Sequence, residues 1–585
     1  MARTRTQRIW DRGHGLSLEP ATAYGVWLGS ARFIVSHRPL SAAILGLIVH
    51  IPFVVRYDLH FQPESALSMM MSRSIVEGEW PVFFWGQAYS GTYGNYLTAV
   101  AFRVFGKSVP LAGLVSLGIW ALGVGLTTAL AERLLGGRAA SWVGLAAAVA
   151  SPYANHYITQ PYLSYETAPV LSIGVLAGLL WSQKLLNLPL GIRTAACWML
   201  LGFLLGFGWW TTRLFLPGAA AAALAVVLRG RRRAQAVRRA LAGIALLLPG
   251  FLVGASPDIL CRLGYLVHYT MYPQTASRFE FEVAPLSQIP MSLLQAFAAL
   301  SAYFDADPYA RFPEGLTFAR ALESGLEPYA DPEFASGLVA SLHDRALLVV
   351  VIAIFLVTVR TAARAWQQRD LPLLSLCIVP FIHLAVIGLS GRTGGGYFEA
   401  RRYWYGSLLI WPLLIGNAIA LGEASRVAAV RVGVRVLAGL FLLSSLVNQA
   451  RMLTLPDELA ELRVLVRALE ASGERAVLMP HDAWFVASLS GGRIEAMSKD
   501  SIRRRPEIAE RVAAGDRVAV AFSGPGSLTL ESFELLNTRF VKDGAARRAG
   551  VWQWVPFRAV PGDGVAEQST ADESGMAPTA PHAPE

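Results

Sequence analysis

The chain has 585 residues, 54% of them hydrophobic and only 16% charged, with a formal net charge of +10. Soluble domains carry about a quarter charged residues, so with a mean hydropathy of +0.43 this composition excludes an ordinary soluble protein and makes a membrane the expected solvent. The positive charge raises nucleic acid as a partner, but the basic residues fall in short runs between apolar blocks, which is a topology signal and excludes it.

The apolar blocks approach the roughly 20 residues of a bilayer-spanning helix. Uncharged stretches at 39–55, 109–131, 139–165, 167–183, 194–212, 214–228, 240–257, 371–391 and 403–422, with shorter ones at 346–359 and 436–450, predict an all-α polytopic membrane domain of about eleven transmembrane helices over 39–451. Arg3, Arg5, Arg8, Arg12, Arg32 and Arg38 precede the first span. Alternate loops then carry Arg133 and Arg138, Lys184 and Arg193, 229-RGRRRAQAVRR-239, Arg360 to Arg369, and Arg426 to Arg435. The positive-inside rule makes these loops and the tail 1–38 cytoplasmic, so 56–108, 152–166, 258–344 and 391–403 lie outside. An odd helix count puts the C-terminal region outside too, and that parity rests on the two short spans. The first span follows a long polar lead without a small-residue cleavage site, which predicts a retained membrane anchor. Cys197, Cys261 and Cys377 have no paired or metal-ligand spacing and read as packing residues.

Along the chain, the first outside loop holds an amphipathic stretch, 65-SALSMMMSRSIVEG-78, an aromatic turn-rich segment, 79-EWPVFFWGQAYSGTYGN-95, and a second apolar stretch, 96-YLTAVAFRVFG-106. The outside loop 258–344 is also long enough for structure of its own. After the last span, short β-like runs at 476–480, 493–497 and 517–522 alternate with helical stretches at 457–471, 481–489 and 506–514. They predict a small α/β extracytoplasmic domain over 452–560. The Pro-, Ala- and Ser-rich tail 561–585 predicts disorder.

Two carboxylates stand just outside the first span, Asp58 and Glu64. Either is a solvated loop acid or a general base that takes the proton of an acceptor hydroxyl. The P-loop, the dinucleotide Gly-rich turn, H-E-x-x-H and paired CxxC are all absent from the sequence, so a nucleotide-sugar enzyme or ATP-driven pump has no support.

The segment 63-PESALSMMMSRSIVEGEWPVFFWGQAYSGTYGNYLTAVAFRVFG-106 resembles the first outside loop of bacterial GT-C glycosyltransferases of the protein-mannosyltransferase and aminoarabinose-transferase type, the family 39-like group. The positions that match are Glu64, Ala66, Gly78, Pro81, Gly86, Gln87, Tyr89, Gly91, Phe105, Gly106 and Ser108, with Glu64 where the family usually shows Asp. The resemblance continues more loosely at 152-PYANHYITQPYLSYETAPVLSIGVLAG-178, 253-VGASPDIL-260, 396-GYFEARRYWYGSLLIWPLLIG-416 and 478-LMPHDAWFVASLSGGRIEAM-497. It implies a GT-C-like membrane domain and an inverting transfer from a polyprenyl-phosphate sugar to a hydroxyl on a glycan, lipid or protein at the outer face. It also implies Glu64 as base, with Asp58 second.

The residues suit that chemistry. A phosphate leaving group departs as a stable anion, so one base suffices where a glycosidase needs a carboxylate pair. No cofactor is required by these residues, and a divalent metal stays an open alternative. Arg401 and Arg402, with Tyr403, begin a span at the outer face, and Arg213 interrupts the apolar 194–228 region. Each is suited to grip the donor phosphate with its planar fork, or to anchor its span at the interface. Trp85, Tyr89 and Tyr93 fit a sugar stack or an interfacial aromatic belt, Gln87 a substrate contact, His156 a phosphate or acceptor contact or a solvated loop, and Glu166 a substrate contact or a helix cap. The rival functions are a transporter or flippase of lipid-linked glycans, which needs polar residues within its spans, and a non-catalytic assembly subunit, which needs no base. His50 and His383 are the ionisable residues within the spans.

Overall fold

The computed structural model describes residues 37–265 and 334–560, apart from 60, 151, 162–164, 186–190, 231–233, 369, 390–403, 455, 458, 480–482, 499–505 and 524–529, together with 285, 287–290 and 292–293. The chain divides into two compact units, Met1–Asp457 and Glu458–Glu585.

The first unit is helical. It runs α1 (Arg38–Val55), α2 (Pro63–Val76), a two-stranded hairpin of β1 (Phe83–Phe84) and β2 (Gln87–Gly91), α3 (Tyr93–Phe105), α4 (Val109–Leu135), α5 (Gly137–Val149), α6 (Pro152–Ile158), α7 (Thr167–Leu185) and α8 (Ile192–Thr211). A 3-10 turn at Arg213–Phe215 leads to α9 (Leu216–Gly230), α10 (Ala234–Gly254), α11 (Ser256–Arg262), α12 (Phe334–Gln368) and α13 (Leu371–Leu389). A second 3-10 turn at Trp404–Ser407 precedes α14 (Ile410–Glu423) and α15 (Ala428–Met452). The starts follow local chemistry: at α4 the Ser108 hydroxyl accepts from the Leu111 amide at 3.3 Å, satisfying one orphan donor beside Pro110.

Among the described residues, five helices are long and apolar enough to cross a membrane, in α1, α4, α8, α13 and α15, or six if the bent pair α10–α11 is one span. Two shorter apolar helices, Thr167–Gly178 and Ile410–Glu423, lie below that length. This is a polytopic membrane protein, and about eleven spans is more than these helices establish.

Two stretches read as continuous are interrupted. The block 139–165 breaks after α5 at Ala150, which takes φ 53°, an unfavourable left-handed conformation for a residue with a Cβ. The carbonyls at the break are caught by other helices: Ala148 by His50 Nε2 at 3.0 Å, Val149 by Gln449 Nε2 at 2.6 Å and Ala150 by the Ser445 hydroxyl at 2.7 Å. A freed carbonyl in an apolar surround is costly without such donors, which is why a break survives here. The block 240–257 bends by 66° between α10 and α11.

Between α8 and α10 the backbones touch through glycine. A Cβ on Gly202 would strike the Leu247 carbonyl oxygen and one on Gly206 that of Phe251, while Gly250 and Gly254 face the carbonyl oxygens of Met199 and Phe203. Both helices thus carry Gly-xxx-Gly, the spacing that lets apolar helices approach closely without a hydrophobic driving force.

The second unit is a mixed α/β fold. It contains α16 (Ala460–Ala471), β3 (Ala476–Leu478), α17 (Ala483–Leu489), β4 (Glu495–Met497), α18 (Pro506–Ala513), β5 (Arg517–Ser523), β6 (Ser532–Leu535), β7 (Thr538–Lys542), β8 (Arg547–Ala549) and β9 (Trp552–Val560). The sheet order is β4-β3-β5-β9-β7-β6, with β8 also on β9. β3 pairs in parallel with β4 and β5. The β-like runs seen in sequence are β3, β4 and β5; the antiparallel half, β6 to β9, was not foreseen.

Candidate functional site

Beyond α1 the chain turns through a 3-10 segment, Tyr57–Leu59, in which Asp58 is buried. Both Asp58 oxygens accept from Arg56: Nε lies 3.2 Å from Oδ1 and Nη2 lies 2.9 Å from Oδ2. Arg56 Nη1 also donates to the Leu453 carbonyl at 2.7 Å, and Gln160 Nε2 donates to that of Tyr57 at 2.9 Å. The hydrogen bonds that Arg56 donates to Asp58, more than the Asp58 charge, push the Arg56 guanidinium pKa upward. Asp58 is therefore half of a neutralised, partly buried pair.

Glu64 sits in the first turn of α2, after Gln62 in extended conformation and Pro63. An acid there complements the helix dipole. It is partly exposed, and among the described residues it makes no hydrogen bond or ion pair.

After α2 the aromatic segment folds into the hairpin. Phe84 pairs with Gln87, leaving Trp85 and Gly86 as a two-residue turn, and Gly86 takes φ 78°, which explains a glycine in this motif position. Trp85 is 1% exposed and its amide donates to Met71 Sδ at 3.5 Å. Its ring offers no open face to a sugar and belongs to the core of the loop. Gln87 is partly buried, and its Oε1, shielded from solvent, accepts no hydrogen bond among the described residues. The Thr92 hydroxyl ties the hairpin back to the Pro81 carbonyl at 2.7 Å.

The hairpin docks on the end of α8. Trp210 Nε1 donates to the Val82 carbonyl at 3.0 Å, and a Cβ on Gly91 would sit 2.7 Å from the Trp210 oxygen, so the last glycine of G-Q-x-Y-x-G is needed for this close approach. Val82, Phe83, Cys261 and Trp210 share one apolar cluster. Cys261 and Cys377 are buried packing residues, and Cys197 is partly exposed.

Beside this dock is a polar group that sequence reasoning missed. Asp258 on α11 is 3% exposed; its Oδ2 accepts from Trp209 Nε1 at 3.0 Å and its Oδ1 from Arg262 Nε at 2.8 Å. The Arg213 guanidinium lies over the Trp209 ring, 4.7 Å from its centroid. Burial lowers the Arg213 pKa, opposed by the Asp258 charge and reinforced by Arg262. The signal was legible: 258-DILCR-262 places acid and base one helical turn apart.

Glu166, immediately before α7, is 1% exposed. Its charge is felt at Tyr93, whose phenol is pushed up by burial first and by Glu166 second. Tyr93 meets Phe207 of α8 edge to face at 4.9 Å. The structure thus joins the hairpin, Arg213 and Glu166 around the end of α8. Arg401, Arg402 and Tyr403 lie outside the described residues, as do the side chains of Tyr89 on β2 and His156 on α6. Among the described residues no group of three or more His, Cys, Asp or Glu is placed to hold a metal ion.

No family model matches the chain, and no curated protein does. Among solved structures the chain is similar to ArnT from Cupriavidus metallidurans bound to undecaprenyl phosphate, at 15% identity over 88% of this chain and 97% of that one, with a TM-score of 0.48. It is also similar to the archaeal oligosaccharyltransferase AglB from Archaeoglobus fulgidus in complex with an inhibitory peptide and a dolichol-phosphate, at 13% identity over 83% and 70%, with a TM-score of 0.46. Likeness at this level carries no argument about activity or substrate, which must come from the chain's own residues.

Proposed function

We propose that the protein is a membrane glycosyltransferase that moves a sugar from a polyprenyl-phosphate donor to a hydroxyl acceptor at the outer face. The observation that carries this reading is the docking of the loop that bears Glu64 and the G-Q-x-Y-x-G turn onto the end of α8, where the Arg213 guanidinium lies over the Trp209 ring. A base-bearing segment and a cation suited to phosphate belong to one packed body.

In the reaction the acceptor oxygen attacks the anomeric carbon, the bond from that carbon to the phosphate oxygen breaks, and the polyprenyl phosphate leaves with the electron pair. Attack from the face opposite the phosphate inverts the anomeric centre. The hydroxyl proton passes to Glu64. Among the described residues Glu64 has no other partner, which favours it over Asp58, whose oxygens both accept from Arg56. The low-polarity surround of the site strengthens the guanidinium–phosphate attraction. Arg401, Arg402 and Tyr403 are proposed as further phosphate contacts, with Gln87, Tyr89, His156 and Glu166 toward the sugar or acceptor.

The test is transfer itself. Purified protein incubated with radiolabelled polyprenyl-phosphate sugars and a membrane extract should move label to an acceptor fraction. Label that stays on the lipid with every donor overturns the reading.

A further inference from the structure

Buried carboxylates in apolar surroundings are costly and persist where something fixes their charge. Asp258 is fixed twice, by the Arg262 guanidinium at 2.8 Å and by the Trp209 indole N–H at 3.0 Å. Arg262 supplies the countercharge. Trp209 receives a direction: with its N–H held by Asp258, the indole plane cannot turn about its last side-chain bond without breaking that bond. The consequence reaches Arg213, whose guanidinium centre lies 4.7 Å from the Trp209 ring centroid. A guanidinium over an aromatic ring is held there by the ring's negative face, and a guanidinium so held is suited to grip phosphate oxygens with its N–H fork.

We propose that Asp258 is a positioning residue that, by locking Trp209, holds Arg213 in place for the phosphate of the polyprenyl carrier. The inference rests on the reading of Arg213 as a phosphate ligand and adds the two residues that hold it. The chain from Asp258 to Trp209 to Arg213 spans two elements that are distant in sequence, α11 and the end of α8. It lies beside the hairpin, because Trp210, the next residue, donates to Val82. The burial that lowers the Arg213 pKa agrees with a cation held in a fixed place rather than one free in solvent.

The experiment uses the full chain in lipid nanodiscs and measures binding of farnesyl phosphate, inorganic phosphate and, as the uncharged control, farnesol. Asp258→Asn and Trp209→Leu should each weaken farnesyl phosphate binding about 3- to 30-fold, the worth of a cation held over a ring, while farnesol binding stays as in the native chain. Asp258→Glu should restore part of the loss. In turnover assays the loss should appear in KM for the donor rather than in kcat. Trp209→Phe, which keeps the ring and loses the N–H, should fall between the native chain and Trp209→Leu. Phosphate weakened in parallel with farnesyl phosphate assigns the effect to the headgroup; inorganic phosphate that never binds, with farnesyl phosphate still weakened, supports the same positioning for a lipid-borne group alone. Native farnesyl phosphate affinity in both Asp258→Asn and Trp209→Leu, together with a loss in Arg213→Gln, overturns the positioning role and leaves the phosphate reading standing. Native affinity in Arg213→Gln overturns the phosphate reading as well. Should Asp258→Asn fail to fold, Trp209→Leu and Trp209→Phe decide the matter.

Discussion

A carboxylate whose oxygens both accept from one guanidinium is a poor base, because protonating it breaks a charge-assisted pair. Asp58 is in that state and Glu64 is not. Glu64→Gln preserves volume and removes the basic oxygen, so turnover should fall about 100- to 10,000-fold with donor binding kept. Glu64→Asp should keep partial activity; a purely capping role would leave Gln nearly as good as Asp. Native turnover in Glu64→Gln with loss in Asp58→Asn would move the base to Asp58. A second residue-scale prediction concerns Glu474, just before β3, 3% exposed and 3.4 Å from Arg517. Burial raises its pKa, opposed by Arg517 and Arg547. A raised carboxyl pKa means that the folded state holds the proton more tightly, so the contribution is full below the unfolded value and fades as pH rises through the folded one. Glu474→Gln should therefore flatten the dependence: opening free energies from amide exchange at β3 should drop less than in the native chain as pH rises from the usual carboxylate range towards neutral. An equal drop would show that Glu474 is not the group. Glu64 and the hairpin residues were legible because they sit in one continuous motif. The Asp258–Arg262 pair was legible as an i,i+4 spacing on one helix, but the link to Trp209 was not, because Trp209 comes from another helix and no local pattern announces that it will face Asp258.

At the scale of the elements, length and apolarity predicted where helices run but not where they break. The block 139–165 is uncharged throughout, yet it splits at Ala150 because His50, Ser445 and Gln449 reach in from α1 and α15 to take its carbonyls. The two histidines within the spans that a transport path would need are likewise engaged, His50 with Ala148 and His383 against Trp404 at 5.1 Å. The glycines of α8 and α10 were legible as 202-GFLLG-206 and 250-GFLVG-254, but only the structure pairs the two helices. Gly206→Val or Gly250→Val must push a Cβ into a facing carbonyl and should cost about 1–3 kcal/mol or more, since interiors resist overpacking. Gly174→Ala on α7, where a Cβ meets nothing within 4 Å, is the control and should be neutral or stabilising by up to about 1 kcal/mol. Thermal unfolding in detergent, followed by tryptophan fluorescence, reads both; equal melting temperatures for Gly206→Val and the native chain would refute the close-packing account. In the second unit the parallel strands were visible as short apolar runs. β6 and β8 were not, because their part-exposed, mixed-polarity residues give no run, and β9, though largely buried, carries Pro556 in its middle, which argues against a strand.

For the whole molecule, the side on which the chain leaves the membrane depended in sequence on helix parity, and the helices α1 and α15 remove that dependence. At one edge of the helical unit Arg38 pairs with Glu132 at 2.6 Å, and Glu423 with Arg435 at 2.8 Å and Arg138 at 3.9 Å. Since α4 ends at Leu135 and α5 begins at Gly137, these ion pairs share that edge with the Arg-rich loops the positive-inside rule assigns to the cytoplasm. At the other end of α1, Arg56 donates to Leu453, and Phe53 and Leu59 pack with Met452 and Leu453. So α1 and α15 both begin at the basic edge and both finish at the Asp58 edge, and whatever the number of crossings between them, the chain after Met452 emerges on the same side as residue 56. We expect the C-terminal unit on the outer face. An alkaline phosphatase fused after Glu585 should be active, and a fluorescent protein that matures only in the cytoplasm should stay dark at the same position. The reverse pattern would mean that the basic edge faces outward, and the proposed site with its Glu64 and Arg213 would then meet cytoplasmic rather than external acceptors.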